Sequence, residues 1–113
     1  MNREELLKFH DEVCQRTKAI MEKKNRDYGG AKGDDPFANF RRVEAMGICK
    51  VEQGFMVRIT DKLSRLSTFI ESGTLLVSES AQDSLDDLQN YCILLGAYLK
   101  EKEERSKLPD GKP

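Results

Sequence analysis

Apolar residues recur every three or four positions along most of this chain, the period of one face of an α-helix. The clearest stretch is Ser78 to Lys100. In its first half, an acidic stripe lies about 180° from Leu85 and Cys92. Its second half is apolar on every face, so we expect protein around it, either within a bundle or in a subunit interface. The apolar positions are Ala81, Leu85, Leu88, Cys92, Leu95 and Leu99.

Three further helices are predicted from the same period, and each is bounded by a capping residue or by Gly and Pro. On the third helix we expect a buried apolar stripe made of Met56, Ile59, Leu63, Leu66 and Ile70. The expected bounds are Asn2 to about Lys24, about Phe37 to Met46 with Gly47 ending the helix, and Glu52 or Gln53 to Ser72 with Gly73 ending it.

Four helices with short connections predict an all-α, four-helix bundle, in which the third and fourth helices pack antiparallel. We assign residues 1–100 to a single domain. The segment 101–113 is charged and has no apolar period, so the last helix should fray after Lys100 and this tail should be disordered.

Composition narrows the function classes. The 113 residues are 35% charged with a net charge of −1, so no dedicated nucleic-acid surface is expected. Three widely spaced cysteines without metal-ligand spacing indicate reduced thiols in a cytosolic protein. The charged N-terminus and the absence of a long apolar run indicate a soluble, intracellular protein without a membrane span.

Charged residues concentrate on the third and fourth helices. Carboxylates bind Mg²⁺ through oxygen, while Arg and Lys hold phosphate groups, so antiparallel packing would gather the components of a nucleotide site. The alternative is that these residues form ion pairs on a solvated face, which is the default for soluble bundles. The candidates are Arg58, Asp61, Lys62 and Arg65 on the third helix and Glu79, Asp83, Asp87 and Asn90 on the fourth.

The segment around the first glycine pair offers groups that suit a nucleobase. An aromatic ring with amide and carboxylate neighbours can stack on a base and hydrogen-bond to it. A turn at Asp27 and Gly29, with Tyr28 packed over the bundle end, is the alternative. The candidates are Lys24, Asn25, Asp27, Tyr28 and Asn39.

Four blocks of sequence, in order, resemble the nucleotide modification associated domain 1 family, small all-α proteins common in phages and prophages. The blocks are Lys24-Asn25-Arg26-Asp27-Tyr28-Gly29, Asp35-Pro36-Phe37-Ala38-Asn39-Phe40-Arg41, Arg58 to Leu66 and Glu79 to Tyr91. That family in turn resembles the MazG-like nucleotide pyrophosphohydrolases. The resemblance implies a MazG-like helical fold and, for a phage-encoded protein, a location in the host cytoplasm.

The MazG-like enzymes bind Mg²⁺ with two pairs of acidic residues and cleave a nucleoside triphosphate to the monophosphate and pyrophosphate. Asp87, followed by Tyr91, resembles the aspartate of their second pair, with Asp83 as its acidic partner and Ser84 in place of a glutamate. Asp61 stands alone in the first pair, among basic residues. The resemblance therefore implies Mg²⁺ held by Asp83, Asp87 and Glu79, and catalysis by Asp61, Asp83 and Asp87.

Two functional hypotheses follow. The first is a Mg²⁺-dependent nucleoside triphosphate pyrophosphohydrolase, with a nucleotide held by Lys24, Asp27, Tyr28, Asn39, Arg58, Lys62, Arg65 and Tyr91. The second is a non-catalytic protein that binds or sequesters a nucleotide or a cyclic nucleotide. A structural oligomer without a ligand is a third, simpler interpretation. In each case we expect a homodimer or a homotetramer.

Overall fold

The computed structural model describes residues 1–28, 35–74 and 80–109, apart from the side chain of Tyr28. These residues form four helices and contain no strand, which confirms the all-α class predicted from the sequence. The helices are α1 (Arg3–Tyr28), α2 (Ala38–Ala45), α3 (Val51–Ser72) and α4 (Ala81–Ser106).

Local sequence signals set the helix ends. The Asn2 side-chain oxygen accepts the backbone N–H of Glu5 at 2.8 Å and so caps α1. Ser80 caps α4 through its hydroxyl, which accepts the Asp83 N–H at 3.0 Å. Gly73 ends α3 in the left-handed conformation, at a φ of 76° that favours glycine. The predicted end of α3 and the predicted start of α4 are therefore confirmed, while α3 begins at Val51, just before the predicted start.

α4 continues to Ser106, beyond the point where we expected it to fray. Ion pairs at i,i+4 spacing extend along this last part and support the helix, although each is exposed and contributes little. The pairs are Lys100 with Glu104, Glu101 with Arg105 and Glu103 with Lys107. Residues 110–113 of the predicted tail lie outside the described part.

α4 is the central helix, because both α1 and α3 pack on it while α2 packs on α3. Glu52, near the start of α3, pairs with Lys102 near the end of α4. Lys62, later in α3, pairs with Asp87 near the start of α4, so the two helices run in opposite directions. The predicted antiparallel packing of α3 and α4 is thus confirmed. α1 contacts the first half of α4, with Arg16 paired to Asp86 and Lys24 to Asp87.

The apolar core of one chain is small. It consists of Phe37, Phe40, Val51 and Phe55, with Tyr98 of α4 packed against this cluster. The rings of Phe40 and Phe55 stack with centroids 3.9 Å apart, and Tyr98 meets Phe37 edge-on at 5.5 Å. These contacts fix α2 against α3 and α4.

Arg41 ties the segment before α2 to α4. Its guanidinium donates to Asp35 at 2.9 Å and to Glu101 at 3.1 Å. The same group lies 5.5 Å from the centre of the Phe37 ring and 5.6 Å from that of Tyr98, within the range of cation–π attraction. This arrangement holds Pro36 and α2 in place beside the helices.

Polar residues occupy much of the contact between α1 and α4. Arg16 donates two hydrogen bonds to the Asp86 carboxylate, at 2.8 and 2.9 Å, and these bonds raise the pKa of Arg16. Asp86 is itself buried. Asn90 and Thr17 are also buried and meet through a side-chain to backbone hydrogen bond. Paired polar groups, rather than leucines, thus join these two helices.

The apolar stripes predicted on α3 and α4 are only partly covered in a single chain, where alternate positions are half-buried and the others exposed. The expectation of a buried stripe on α3 was therefore wrong for one chain. Met56, Leu63 and Ile70 are 52%, 51% and 80% exposed. On α4, Leu85 and Leu99 are 44% and 46% exposed. The reason is that the inward positions are taken by phenylalanines near α2 and by paired polar residues elsewhere.

Candidate functional site

A cavity of about 280 Å³ lies between the four helices, and we call it the interhelical cavity. Its wall combines apolar and aromatic side chains with charged and amide groups, the composition typical of small-molecule sites. The lining residues are Met21, Lys24 and Asn25 of α1, Pro36, Asn39 and Phe40 at α2, Arg58 of α3, and Asp87, Asn90, Tyr91 and Leu94 of α4.

Helical periodicity brings these residues to one place. On α4, Asp87, Tyr91 and Leu94 are spaced by four and three positions and therefore share a face. Lys24 lies near the end of α1, where it reaches Asp87. The N-terminal half of α2 adds Asn39 to the opposite wall. Residues distant in sequence thus converge because three helices pack side by side.

Asp87 carries the negative charge of the cavity, and two ammonium groups surround it. Lys62 Nζ lies 2.8 Å from Asp87 Oδ2, and Lys24 Nζ lies 3.5 Å from Oδ1. Lys62 is nearly buried, whereas the side chain of Lys24 is about half exposed. Asp87 is therefore already compensated by Lys62, and Lys24 retains much of its capacity to attract an anion.

Asn90 presents a buried acceptor without a donor. Its Nδ2 group donates to the carbonyl of Thr17 at 2.9 Å, which fixes the orientation of the amide. Its Oδ1 atom is buried and accepts no hydrogen bond from any described residue. An unpaired buried acceptor costs roughly 1–3 kcal/mol, so a donor from a water or a ligand would stabilise this position.

Three other polar side chains of the cavity are unpaired within the described part of the chain. Arg58 forms no ion pair or hydrogen bond there, and neither do the amides of Asn25 and Asn39. Both asparagines are half-buried. These groups can donate and accept hydrogen bonds in the cavity without breaking an existing contact.

The structure brings together five of the residues predicted to form a site. Lys24, Asn39, Arg58, Asp87 and Tyr91 all line the interhelical cavity. Lys62 adjoins them through its ion pair with Asp87.

Of the remaining predicted residues, those that the structure describes do not line the cavity. Asp61 pairs with Arg65 at 3.2 Å within α3, which agrees with the simpler i,i+4 interpretation. Asp83 accepts the Ser80 backbone N–H at 3.1 Å; this bond, together with one from the Ser80 side chain, lowers the pKa of Asp83. Asp27 is exposed. The side chain of Tyr28 and all of Glu79 lie outside the described part.

The described carboxylates do not fit a Mg²⁺ site. No three His, Cys, Asp or Glu side chains of residues 1–28, 35–74 and 80–109 gather at one point. Asp83 is occupied as a helix-capping residue, and Asp87 faces two ammonium groups that would repel a cation. We therefore derive no chemical step through a metal ion.

Some cavity residues were not predicted as site residues. Asn25 and Asn90 belonged to the candidate segments, but only the packing shows that they face the same space. Met21, Pro36 and Leu94 carry no chemical signal in the sequence, because apolar residues at helical spacing are typical of any core. The signal that pointed to Asn90 was its place on the polar stripe of the fourth helix, together with Asp83 and Asp87.

No helix among the described residues has the length and hydropathy needed to cross a membrane. The fold and the cavity define a small all-helical protein with a polar, aromatic-lined site between its helices. Residues 24–96 match the family model described as nucleotide modification associated domain 1. Since this match covers more than half of the chain, the protein belongs to that family. No curated protein and no solved structure matches the chain.

Proposed function

We propose that the protein binds a nucleotide in the interhelical cavity, through its own side chains and without a metal ion. The observation that carries this proposal is the set of polar groups around the cavity that have no partner among the described residues. Folded proteins pair most of their buried polar groups, so the unpaired, buried acceptor indicates a ligand, and the half-buried amides and the exposed guanidinium around the same cavity are available to bind it. The groups are the side chains of Asn25, Asn39 and Arg58 and the Oδ1 atom of Asn90.

The cavity offers both parts of a nucleotide a suitable environment. Phe40 and Tyr91 supply aromatic surface for a base, and the amides of Asn25 and Asn39 supply donors and acceptors for its edge. The guanidinium of Arg58 can hold two phosphate oxygens at once. The family name, which refers to nucleotide modification, agrees with this class of ligand.

Differential scanning fluorimetry with a panel of nucleosides and nucleotides in EDTA tests the proposal. A ligand at 100 times its Kd stabilises the folded state by about 2.7 kcal/mol, which raises the Tm by several degrees in a domain of this size. Arg58→Met should reduce the shift, and Arg42→Met is the matched control because Arg42 is exposed on α2 outside the cavity. A panel without any shift, or a full shift in Arg58→Met, would contradict the proposal.

A second candidate is hydrolysis of a nucleoside triphosphate, the activity of the MazG-like enzymes to which we propose a distant relationship. The observation that favours it is the position of Asp87, whose carboxylate lines the cavity beside the basic groups. Incubation with each nucleoside triphosphate and Mg²⁺, followed by anion-exchange chromatography, should then show monophosphate and pyrophosphate. Asp87→Asn should abolish that product, and unchanged triphosphate in the wild type would exclude this candidate.

We also propose that a second copy of the chain completes the fold. Met56, Leu63 and Ile70 on α3 are spaced by seven residues, as are Leu85, Cys92 and Leu99 on α4. We call these sets the heptad columns. All six side chains are exposed in one chain, whereas the neighbouring positions three residues later, Ile59, Leu66, Leu88 and Leu95, are half-buried. A sustained apolar column of this spacing is the pattern by which helices pack on other helices.

The geometry favours a second copy of the chain as the partner that covers the heptad columns. At about 100° per residue, Met56 lies about 160° from Arg58, and Leu85 lies about 160° from Asp87, so both columns face away from the cavity. α3 has 22 residues, which makes it about 33 Å long, and two helices roughly 10 Å wide present a face of roughly 600 Å². Stable interfaces bury about 800 Å² per partner, so this face is close to sufficient.

Light scattering coupled to size-exclusion chromatography measures the assembly. The wild type should have at least twice the 12.9 kDa chain mass. Leu63→Glu, within a column, should yield a monomer, because a buried charge without a partner is costly. Val57→Glu is the control, since Val57 is 66% exposed on α3 but outside both columns. A wild-type mass of one chain would refute self-association.

A further inference from the structure

We infer that the ligand class of the interhelical cavity is a nucleoside monophosphate rather than a nucleoside triphosphate or a cyclic dinucleotide. This inference rests on the proposed function, since it specifies which nucleotide the cavity binds. Two properties of the described residues carry it: the volume of the cavity and the balance of charge around it.

The volume favours one small ligand. At about 280 Å³, the interhelical cavity lies at the lower end of the range of small-molecule sites, about 300–1,000 Å³. Pro36 and Phe40 bound it on the side of α2, and Leu94 and Tyr91 bound it on α4. A single base with its sugar and phosphate is matched to such a space, whereas two linked nucleosides exceed it.

The charge balance favours one phosphate group. Asp87 is compensated by Lys62 at 2.8 Å, so the net charge of the lining comes from Lys24 and Arg58. Their two positive charges match a phosphate monoester, which carries about −1.5 to −2 at neutral pH. A triphosphate brings two additional charged phosphoryl groups, for which the described lining residues offer no further cation.

Other sites of this kind bind triphosphates by adding Mg²⁺, which neutralises the extra oxygens. The carboxylates of the described ranges do not gather into a ligand set for such an ion, and Asp87 is flanked by lysines. The excess charge of a triphosphate would therefore remain uncompensated, and it would also lie close to the Asp87 carboxylate. Electrostatics thus select the monophosphate.

Isothermal titration calorimetry with full-length protein compares the four common deoxyribonucleosides, their 5′-monophosphates and their 5′-triphosphates. Each series is measured in EDTA and again with Mg²⁺. For the best base, the monophosphate should bind at least about tenfold more tightly than both the nucleoside and the triphosphate, with little effect of Mg²⁺. Lys24→Met should weaken monophosphate binding about tenfold while leaving nucleoside binding nearly unchanged, since it removes the phosphate contact, and Asp87, which loses its 3.5 Å contact with Lys24, keeps Lys62 at 2.8 Å.

Lys23→Met is the matched control, because Lys23 is exposed on α1 and does not line the cavity. It should bind the monophosphate like the wild type. If a triphosphate binds more tightly than its monophosphate, with or without Mg²⁺, the inference is overturned while the proposed function stands. If neither binds in any condition, the proposed function fails with it. Equal loss of monophosphate and nucleoside binding in Lys24→Met would also overturn the phosphate role of this residue.

Discussion

The Lys62–Asp87 ion pair joins α3 to α4 beside the cavity, and its removal gives a quantitative test of the packing. The two groups are 2.8 Å apart, and their side chains are only 11% and 19% exposed. Asp87→Asn keeps the shape of the side chain and removes its charge. Lys62, which is nearly buried, then loses the carboxylate that compensates it.

The expected cost follows from the burial of the pair. Removing one partner of a fully buried ion pair costs about 3–5 kcal/mol. Asp87 retains some contact with solvent, which reduces this penalty, so we expect Asp87→Asn to lower the free energy of unfolding by about 2–3 kcal/mol. Lys62→Met should be destabilising as well, because it leaves Asp87 with only the longer contact to Lys24 at 3.5 Å.

A double-mutant cycle isolates the interaction. Asp87→Asn together with Lys62→Met should cost less than the sum of the single changes, by at least about 1 kcal/mol, because both single changes break the same ion pair. Urea unfolding followed by circular dichroism, at one fixed protein concentration, measures all four proteins. Additive effects, or an Asp87→Asn variant within about 0.5 kcal/mol of the wild type, would refute this account of the α3–α4 contact.

Three further changes test the fold. Gly54→Val should cost about 1–3 kcal/mol in urea unfolding, because a Cβ there would lie 3.1 Å from Phe40, whose ring is held by stacking; wild-type stability would contradict this close packing. Gly73→Ala should cost about 1 kcal/mol, since φ is 76°, whereas Gly96→Ala within α4 should not destabilise; equal effects would contradict the left-handed cap. Ser80→Ala should lower the urea midpoint at pH 7. The pKa of Asp83 is lowered first by the Ser80 backbone N–H, which the variant keeps, and then by the Ser80 hydroxyl, which it loses. The hydroxyl's part of the stabilisation is present above the unfolded pKa and is lost as pH falls through the folded pKa. The difference from the wild type should therefore narrow below about pH 4, and a constant difference would contradict the role of the Asp83 carboxylate.

The helices could be predicted from the sequence because their signals are local. Asn2, Ser80 and Gly73 act within one turn of the helix ends, so the residues that cap a helix are readable without knowledge of the fold. The continuation of α4 to Ser106 was missed because a run of charged residues resembles a disordered tail, although i,i+4 pairs support it as a helix.

The inward faces of the helices could not be predicted, because they depend on partners distant in sequence. Asp86 is buried only because Arg16 of α1 donates two hydrogen bonds to it. Lys62 is buried because it meets Asp87 of another helix. A rule that places apolar residues inside therefore failed at the α1–α4 contact and succeeded around Phe40, where the core is apolar.

Only part of the candidate site could be predicted, because the sequence shows the type of each residue but not its partners. Lys24, Arg58 and Asp87 have the charge that phosphate chemistry requires, so residue type alone selects them. Residue type also selects Asp61 and Arg65, yet these two satisfy each other on α3. Which charged residues are left for a ligand is decided by packing, and packing is what the sequence pattern does not contain.

Nitrogen-15 NMR of the protein titrated with its best nucleotide in EDTA tests the central claim most directly, because side-chain amides report from inside the cavity. Three asparagines line the cavity, at positions 25, 39 and 90. Asn2 caps the start of α1 and does not line the cavity, so its amide serves as an internal control. The account predicts that the amide signals of the three cavity residues shift together in a saturable way while that of Asn2 does not. Saturable binding that leaves all three signals unchanged would contradict the assignment of the interhelical cavity as the nucleotide site.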